Sequence, residues 1–260
     1  CAAGGTELLS EWLKATVAEE AVPKTMRRAK LVPIAKKAKP GVRPVRCFRL
    51  INVLAASSKL TSSLLLKEGE YWSESCQFGF VQRTSVRDAT FVSASTRTRV
   101  QEQGWSLLEI FLDVQEAFPT VDHLAIAEDC GDGSTTASSA RRKLLQMVQE
   151  GESELRVKGQ EVKKYRQRSG VRQGDSAGPV VFRSAYQRVR REVAQRLFGP
   201  VVPRCVWVAR RPVTGEELRV TANDVTYADD MEVLAPIPRT APPQAWREMG
   251  DRIEEECKAA

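Results

Sequence analysis

The segment Val225-Thr-Tyr-Ala-Asp-Asp-Met-Glu-Val-Leu-Ala235 sets two adjacent carboxylates, Asp229 and Asp230, inside an otherwise apolar strand pattern. Strand-forming runs do not normally give way to Asp-Asp at mid-length, because Asp is depleted in strands. The pattern therefore predicts a β-hairpin whose tight turn presents both acids. Two carboxylates fixed side by side suit a hard divalent cation bound through oxygen. Tyr-Ala-Asp-Asp is short, so its weight depends on what else the chain supplies.

A third acid closes a second apolar run, Leu107-Leu-Glu-Ile-Phe-Leu-Asp113. An acid at the exit of a core strand is costly unless it is solvated, paired or metal-bound. Asp113 could instead cap a helix starting in Val114-Gln-Glu-Ala-Phe118. Between the two acid segments lies Ser169-Gly-Val-Arg-Gln-Gly-Asp-Ser-Ala-Gly-Pro-Val-Val-Phe182, which reads as a loop entering a helix. Asp175 or Ser176 would cap that helix, and Gly174 would let another backbone or a base approach closely.

Charge narrows the partner. The net charge of +7 is unevenly spread: residues 21–67 contain no acid but include Lys24, Arg27, Arg28, Lys30, Lys36, Lys37, Lys39, Arg43, Arg46, Arg49, Lys59 and Lys67. Basic residues also gather from Arg156 to Arg172 and from Arg183 to Arg196. Single-sign blocks of this length suit a polyanion, whose phosphates release counterions on binding. The acidic run Glu248–Glu256 reads as an outer helix face. His123 is the sole histidine, which excludes a His-rich metal site. The Cys residues are scattered without a Cys-x-x-Cys pair, which argues for a reducing, intracellular setting and against a disulfide frame. No run is long and apolar enough to span a membrane.

Helices and antiparallel strands mix along the chain, which gives an α+β class. Helices are expected over Glu7–Glu20, Leu50–Leu66, Ser85–Gln103, Ala140–Glu150 (capped by Ser138 or Ser139), Ala177–Phe198 and from Ala241 onward. Strands are expected at Arg28–Ile34, Val201–Val208 and Leu218–Val225. A hairpin over Leu155–Tyr165 should turn at Lys158-Gly159.

In this order the segments resemble motifs of reverse transcriptases, nearest to those of non-LTR retrotransposons and group II introns. Asp113-Val-Gln-Glu-Ala-Phe118 is similar to the family's Leu-Asp-x-x-x-Ala-Phe segment, Gly170–Phe182 to its Gly-Val-Arg-Gln-Gly-Asp-x-x-x-Pro-x-x-Phe segment, and Tyr227–Asp230 to its acidic hairpin. Upstream, Gln77-Phe-Gly-Phe80 through Ser85 and Asp88-Ala89, and Leu31–Lys37 with Gly41–Pro44, resemble finger motifs. The likeness covers about residues 25–260. It implies a right-hand polymerase with fingers over residues 1–104 and a palm over 105–260, the palm being an antiparallel sheet packed on helices. The thumb would lie beyond residue 260, in a longer polyprotein.

The resemblance also implies roles. Asp113 and Asp229, supported by Asp230 and the Val114 carbonyl, would hold two Mg²⁺ ions, which Mn²⁺ can replace, and all three acids should meet at one surface. Phe118 would exclude a 2′-hydroxyl. Gln173 and Gly174 would shape the nascent base-pair pocket. Lys37 and Arg43 would grip the triphosphate, with Arg49 as the alternative register. Arg27, Arg28, Lys36, Arg172, Gln173 and Tyr227 would touch nucleic acid. The partners would be an RNA template, a DNA primer and dNTPs. A viral RNA-dependent RNA polymerase palm and a decayed nucleic-acid-binding remnant share some of these features. The Gly-Val-Arg-Gln-Gly-Asp loop and Phe118 favour deoxynucleotides, and the intact acids favour catalysis. Pro119, Ser176-Ala177-Gly178, Glu232 and Arg83-Thr84 depart from the family pattern without removing an acid.

Overall fold

The computed structural model describes residues 4–19, 21–36, 47–71, 76–114, 116–157, 160, 162–210, 215 and 217–259. In chain order the elements are α1 (Gly4–Ala18), β1 (Arg28–Ala35), β2 (Phe48–Leu54), α2 (Ala56–Glu68), α3 (Val86–Glu102), β3 (Trp105–Asp113) and α4 (Ala117–Thr120). Then follow α5 (His123–Cys130), α6 (Thr136–Gln149), β4 (Glu152–Leu155), β5 (Lys163–Arg166) and α7 (Gly178–Leu197). The chain continues through β6 (Val206–Arg210), β7 (Glu217–Thr221), β8 (Asp224–Tyr227), β9 (Asp230–Pro238) and α8 (Pro243–Ala259). The mixed class expected from sequence is observed. The chain forms two compact units, each built from two stretches: Cys1–Trp72 with Glu116–Ala185, and Ser73–Gln115 with Tyr186–Ala260.

The first unit centres on a four-stranded sheet of order β2-β1-β4-β5. The sheet is mixed, because β1 runs antiparallel to β2 but parallel to β4. Leu50–Leu66 is not one helix. Leu50–Leu54 completes β2, in register with β1 from Ala29↔Leu54 to Ala35↔Phe48. Ala55, extended at φ −64 and ψ 155, then breaks into α2. Burial in α2 falls on Ser58, Thr61, Ser62 and Leu65 at helical spacing, and the first three are small polar side chains that a hydrophobicity reading undervalues. α6 starts earlier than expected, because Thr135 and Ser138 form a reciprocal cap. The β4–β5 hairpin exists with Leu155 opposite Lys163. Its strands lie further out than a two-residue turn allows, and Lys158-Gly159 falls outside the described residues.

The second unit holds the acids. Its three-stranded antiparallel sheet has the order β3-β9-β8. Alternation along the strands assigns the two faces. Met231, Val233, Ala235 and Ile237 of β9 are buried, and the first three pack with Leu108, Ile110 and Leu112 of β3, Val193 and Leu197 of α7 and Ile253 of α8. On the opposite face Leu234, Leu107 and Val225 pack against Ala89 and Val92 of α3. Covered on both faces, β9 is nearly all apolar after its first residue, as a central strand should be. Helix α3 is started by Ser85, whose backbone N–H donates to Asp88 Oδ2 at 2.8 Å. The strands expected at 201–208 and 218–225 shift to β6 and β7, which pair separately, and Asp224 opens β8.

Candidate active site

β3 ends and β9 begins on acids that face each other, with Asp113 opposite Asp230. On its other side Asp230 faces Tyr227, the last residue of β8. Only Ala228 and Asp229 remain to join β8 to β9, so the expected hairpin with a tight acidic turn is observed. Opposed residues on antiparallel strands share a face, with Cα atoms about 4.5–5.5 Å apart. The fold therefore brings Asp113, Asp229 and Asp230 to one end of one sheet.

The crowding has an electrostatic signature. The Asp230 carboxyl is pushed above the usual carboxylate range, first by burial and then by the charges of Asp229 and Asp113. A raised carboxylate pKa makes ionised Asp230 a cost to the folded state, and the cost is relieved as pH falls through that pKa. Asp230→Asn should therefore raise the melting midpoint of the metal-free chain at neutral pH, with a smaller gain in acid. Thermal unfolding at pH 7 and pH 4 checks both arms.

Glu232, two residues along the same face, is occupied elsewhere. Ser93 Oγ on α3 donates to its Oε1 at 3.0 Å, and burial raises its pKa. Nearby, Arg97 holds Glu109 with a 2.5 Å ion pair. The acid that departs from the family pattern thus serves the α3–sheet packing.

The turn carrying Asp229 is unusual. Ala228 is buried and left-handed, with φ 61, a conformation that disfavours residues with a Cβ. The segment Cys76–Phe78 runs beside β8: Thr226 N donates to Cys76 O at 2.9 Å, and Phe78 N donates to Thr226 O at 2.8 Å. This places the buried Gln77 amide against Ala228. Gly79 packs so close that a methyl there would sit 1.9 Å from Ala228 N. From α7, Tyr186 Oη donates to Asp229 O at 3.4 Å. Its phenol pKa is raised by burial, then by Asp229, Asp224 and Asp230. Sequence reasoning gave Gln77, Gly79 and Tyr186 no role. Gln77 and Gly79 lie in the Gln77-Phe-Gly-Phe80 segment that resembles a finger motif, which is the signal the sequence carries for them.

Most other expected site residues lie in the first unit, whereas Val114 and Tyr227 lie in the second. Phe118 is half-buried, its ring stacked on Phe182 at 4.9 Å between centroids. The Gly170 loop is tied to it, since Val171 N donates to Phe118 O at 2.8 Å. The His123 ring meets Gly170 O at 2.8 Å, so the sole histidine braces this loop. Gly174, at φ 99, lies where a Cβ would approach Asn52 O to 2.4 Å. Its neighbour Gln173 accepts the Asn52 N–H at 2.6 Å. The loop is thus pinned to β2, with Gly174 exposed and Gln173 half-buried. Arg28, Lys36 and Arg49 are exposed, Val114 and Tyr227 are half-buried, and Tyr227 packs beside Val225 and Leu234. Lys37 and Arg43 lie outside the described residues.

Two expected nucleic-acid contacts are corrected. Arg172 is 1% exposed, and its guanidinium donates to Arg27 O at 3.0 Å, Met147 O at 2.8 Å and Asp175 Oδ2 at 3.3 Å. Arg27 is buried and ion-paired with Glu150. Arg183 and Arg190 of the third basic group are also buried, and Arg190 pairs with Asp224 at 2.5 Å. These four arginines belong to the interior, so the basic surface is smaller than the sequence suggested. Nor does Asp175 cap the first turn of α7; its Oδ1 accepts the Ala177 N–H at 3.1 Å, just outside it.

Among the described residues, no three His, Cys, Asp or Glu side chains close up far enough to hold an ion by themselves. Mg²⁺ does not require that closure, because it keeps several waters and takes one or two carboxylates plus substrate phosphates. The oxygen-only donors at the sheet end, and the mutual repulsion registered at Asp230, fit a hard divalent cation.

Comparison with known proteins agrees with this geometry. The chain superposes on telomerase from Candida tropicalis, truncated of its C-terminal domain, with a TM-score of 0.59 and 12% identity over 95% of this chain and 51% of that one. Telomerase from Candida albicans, solved with a fragment of telomeric RNA, gives a TM-score of 0.56 and 11% identity over 96% of this chain and 43% of that one. The chain thus spans about half the length of these structures or less, and at such identity the likeness is one of fold. No curated protein matches it in sequence. The model of the reverse transcriptase (RNA-dependent DNA polymerase) family matches residues 34–257, from β1 through to α8 and across all three acids. The chain therefore belongs to the reverse transcriptase family.

Proposed function

We propose that this chain carries the polymerase site of a retroelement reverse transcriptase of the non-LTR type, adding deoxynucleotides to a primer 3′-hydroxyl opposite an RNA template. The observation that carries the reading is the pairing of Asp113 with Asp230 beside the Asp229 turn. The non-LTR assignment rests on the spelling of Gln77-Phe-Gly-Phe80 and of Gly170-Val-Arg-Gln-Gly-Asp175. Fingers over residues 1–104 and a palm over 105–260 are part of the same proposal.

Reverse transcriptases generally use divalent metal ions. Asp113, Asp229, Asp230 and the Val114 carbonyl would hold two Mg²⁺ here, supplying charge neutralisation at the reacting phosphate and a more acidic primer hydroxyl. The chain's own groups would do the rest. Phe118, braced by Phe182, would press on the sugar. Gln173 and Gly174 would line the base-pair pocket, Lys37 and Arg43 would meet the triphosphate, with Arg49 in place of Arg43 in the alternative register, and the exposed Arg28 and Lys36 would follow the backbone. Tyr227 would reach the primer end from the strand beside Asp230.

Single-nucleotide incorporation on an RNA template, with dNTP against NTP and with Asp113→Asn as control, tests the proposal. Incorporation of dNTP that vanishes in the control is expected. Equal use of NTP would point to an RNA polymerase, and no incorporation with nucleic-acid binding intact would point to a remnant. Phe118→Val should relax sugar discrimination by about 10-fold or more, since even one methylene more or less in a substrate pocket is worth about 1–3 kcal/mol. Unchanged dNTP/NTP selectivity would return Phe118 to packing alone.

A further inference from the structure

We infer that Gln77 is a positioning residue for the acidic turn: it holds Ala228 in its left-handed conformation and thereby sets where Asp229 and Asp230 point. The role of the acids rests on the function proposed above, whereas the contact between Gln77 and the turn does not.

Gln77 is 2% exposed, an unusual place for a long polar side chain. Its amide engages backbone through both its oxygen and its nitrogen. Gln77 Oε1 accepts from Gly79 N at 2.8 Å and from Ala228 N at 3.3 Å, and Gln77 Nε2 donates to Ala228 O at 3.3 Å. One side chain therefore takes both the N–H and the C=O of the first turn residue. A two-residue hairpin with φ > 0 at that position favours glycine. This chain has alanine there, at φ 61. Such conformers persist where the surroundings over-determine them, and they gather at functional sites. Three surroundings do so here. Gln77 fixes the Ala228 peptide groups, Gly79 presses against Ala228 N, and Tyr186 holds the next carbonyl, that of Asp229.

The geometry turns on the turn. Asp229 has no strand partner of its own, since the register closes at Tyr227↔Asp230. The direction of its side chain depends on the φ and ψ of Ala228 and on its own. Rotating the Ala228 peptide would carry Asp229 away from the end of β3, where Asp113 stands, without disturbing either sheet core. Apolar contacts alone would not define that rotation, but a buried amide with three directed hydrogen bonds does.

The test uses the whole chain with Gln77→Met, which keeps length and removes the hydrogen bonds, and with Gln77→Asn, which stays polar but is one methylene short. Melting curves establish that each variant folds. Two readouts follow: hydrogen exchange at the Ala228 amide, and Mn²⁺ affinity by electron paramagnetic resonance. Faster Ala228 exchange and about 10-fold weaker Mn²⁺ binding are expected, the size typical of losing a group that orients metal ligands. Adding Ala228→Gly to Gln77→Met should restore most of the Mn²⁺ affinity, because glycine adopts the left-handed turn unaided. A purely structural role for Gln77 would show no such rescue. Unchanged Ala228 exchange, unchanged Mn²⁺ affinity or absence of rescue in a folded variant would each overturn the inference. Wild-type chain that takes up no Mn²⁺ would overturn the metal reading instead. The exchange readout, which needs no metal, would still decide whether Gln77 holds the turn.

Discussion

Asp229→Asn is expected to lower nucleotide incorporation by about a thousandfold or more. The amide keeps the size of the side chain and leaves the Tyr186 contact to the Asp229 carbonyl intact, so the hairpin should survive. What it loses is charge at the sheet end where Asp113 faces Asp230. Metal-held stabilisation of the charge developing on a phosphate is worth several kcal/mol, and each 1.4 kcal/mol is about tenfold in rate. The loss should appear in the rate of a single turnover and not in primer–template affinity. Glu232→Gln is the matched control: it removes a carboxylate two positions along the same face, but one committed to Ser93, and it should cost far less. Single-turnover incorporation on an RNA template measures both. An Asp229→Asn rate within tenfold of wild type would remove the acids from the chemistry.

The second large effect concerns stability. Arg172→Met should destabilise the chain by about 4 kcal/mol, since breaking a buried ion pair from one side costs about 3–5 kcal/mol. Arg172 satisfies two carbonyls and one carboxylate within the first unit, Arg27 O, Met147 O and Asp175 Oδ2. Burial pulls its guanidinium pKa down while Asp175 pulls it back up, which is the signature of a charge kept inside by its partner. Gly151 lies so close that a Cβ there would meet the Arg172 guanidinium at 2.9 Å, so no room is left to rearrange. A fall in melting midpoint of about 10 °C or more follows from the usual scaling. Arg172→Met with Asp175→Leu should lose less than Arg172→Met alone, because the stranded carboxylate goes too. If instead Arg172→Met left stability unchanged and weakened RNA binding, Arg172 would be a surface ligand after all.

The parts of this molecule legible in its sequence are those governed by local alternation. The acidic hairpin, the acid at the end of β3 and the span of α3 all follow from periodicity interrupted by Asp or Gly. The helix–strand boundary at Ala55 was missed because Leu50–Leu66 is apolar enough for either state. Pairing with β1, set by residues about 20 positions earlier, decided it. The arginines were misread for a different reason. A sequence displays charge but not the distant group that neutralises it, and Glu150 for Arg27 or Asp224 for Arg190 lies far along the chain. Gln77 was overlooked because its contacts with Ala228 span 151 positions.

That same interleaving governs how the molecule is made. Each unit is assembled from two separated stretches, and among the described residues β3 pairs with β9 alone, which is synthesised much later. At about 5–20 residues per second, translation leaves Leu107–Leu112 without its partner for on the order of 10 s. An apolar strand with open edges for that long is an aggregation hazard. Overexpressed chain should therefore partition into inclusion bodies unless synthesis is slowed or a holdase is supplied, whatever the stability of the finished fold.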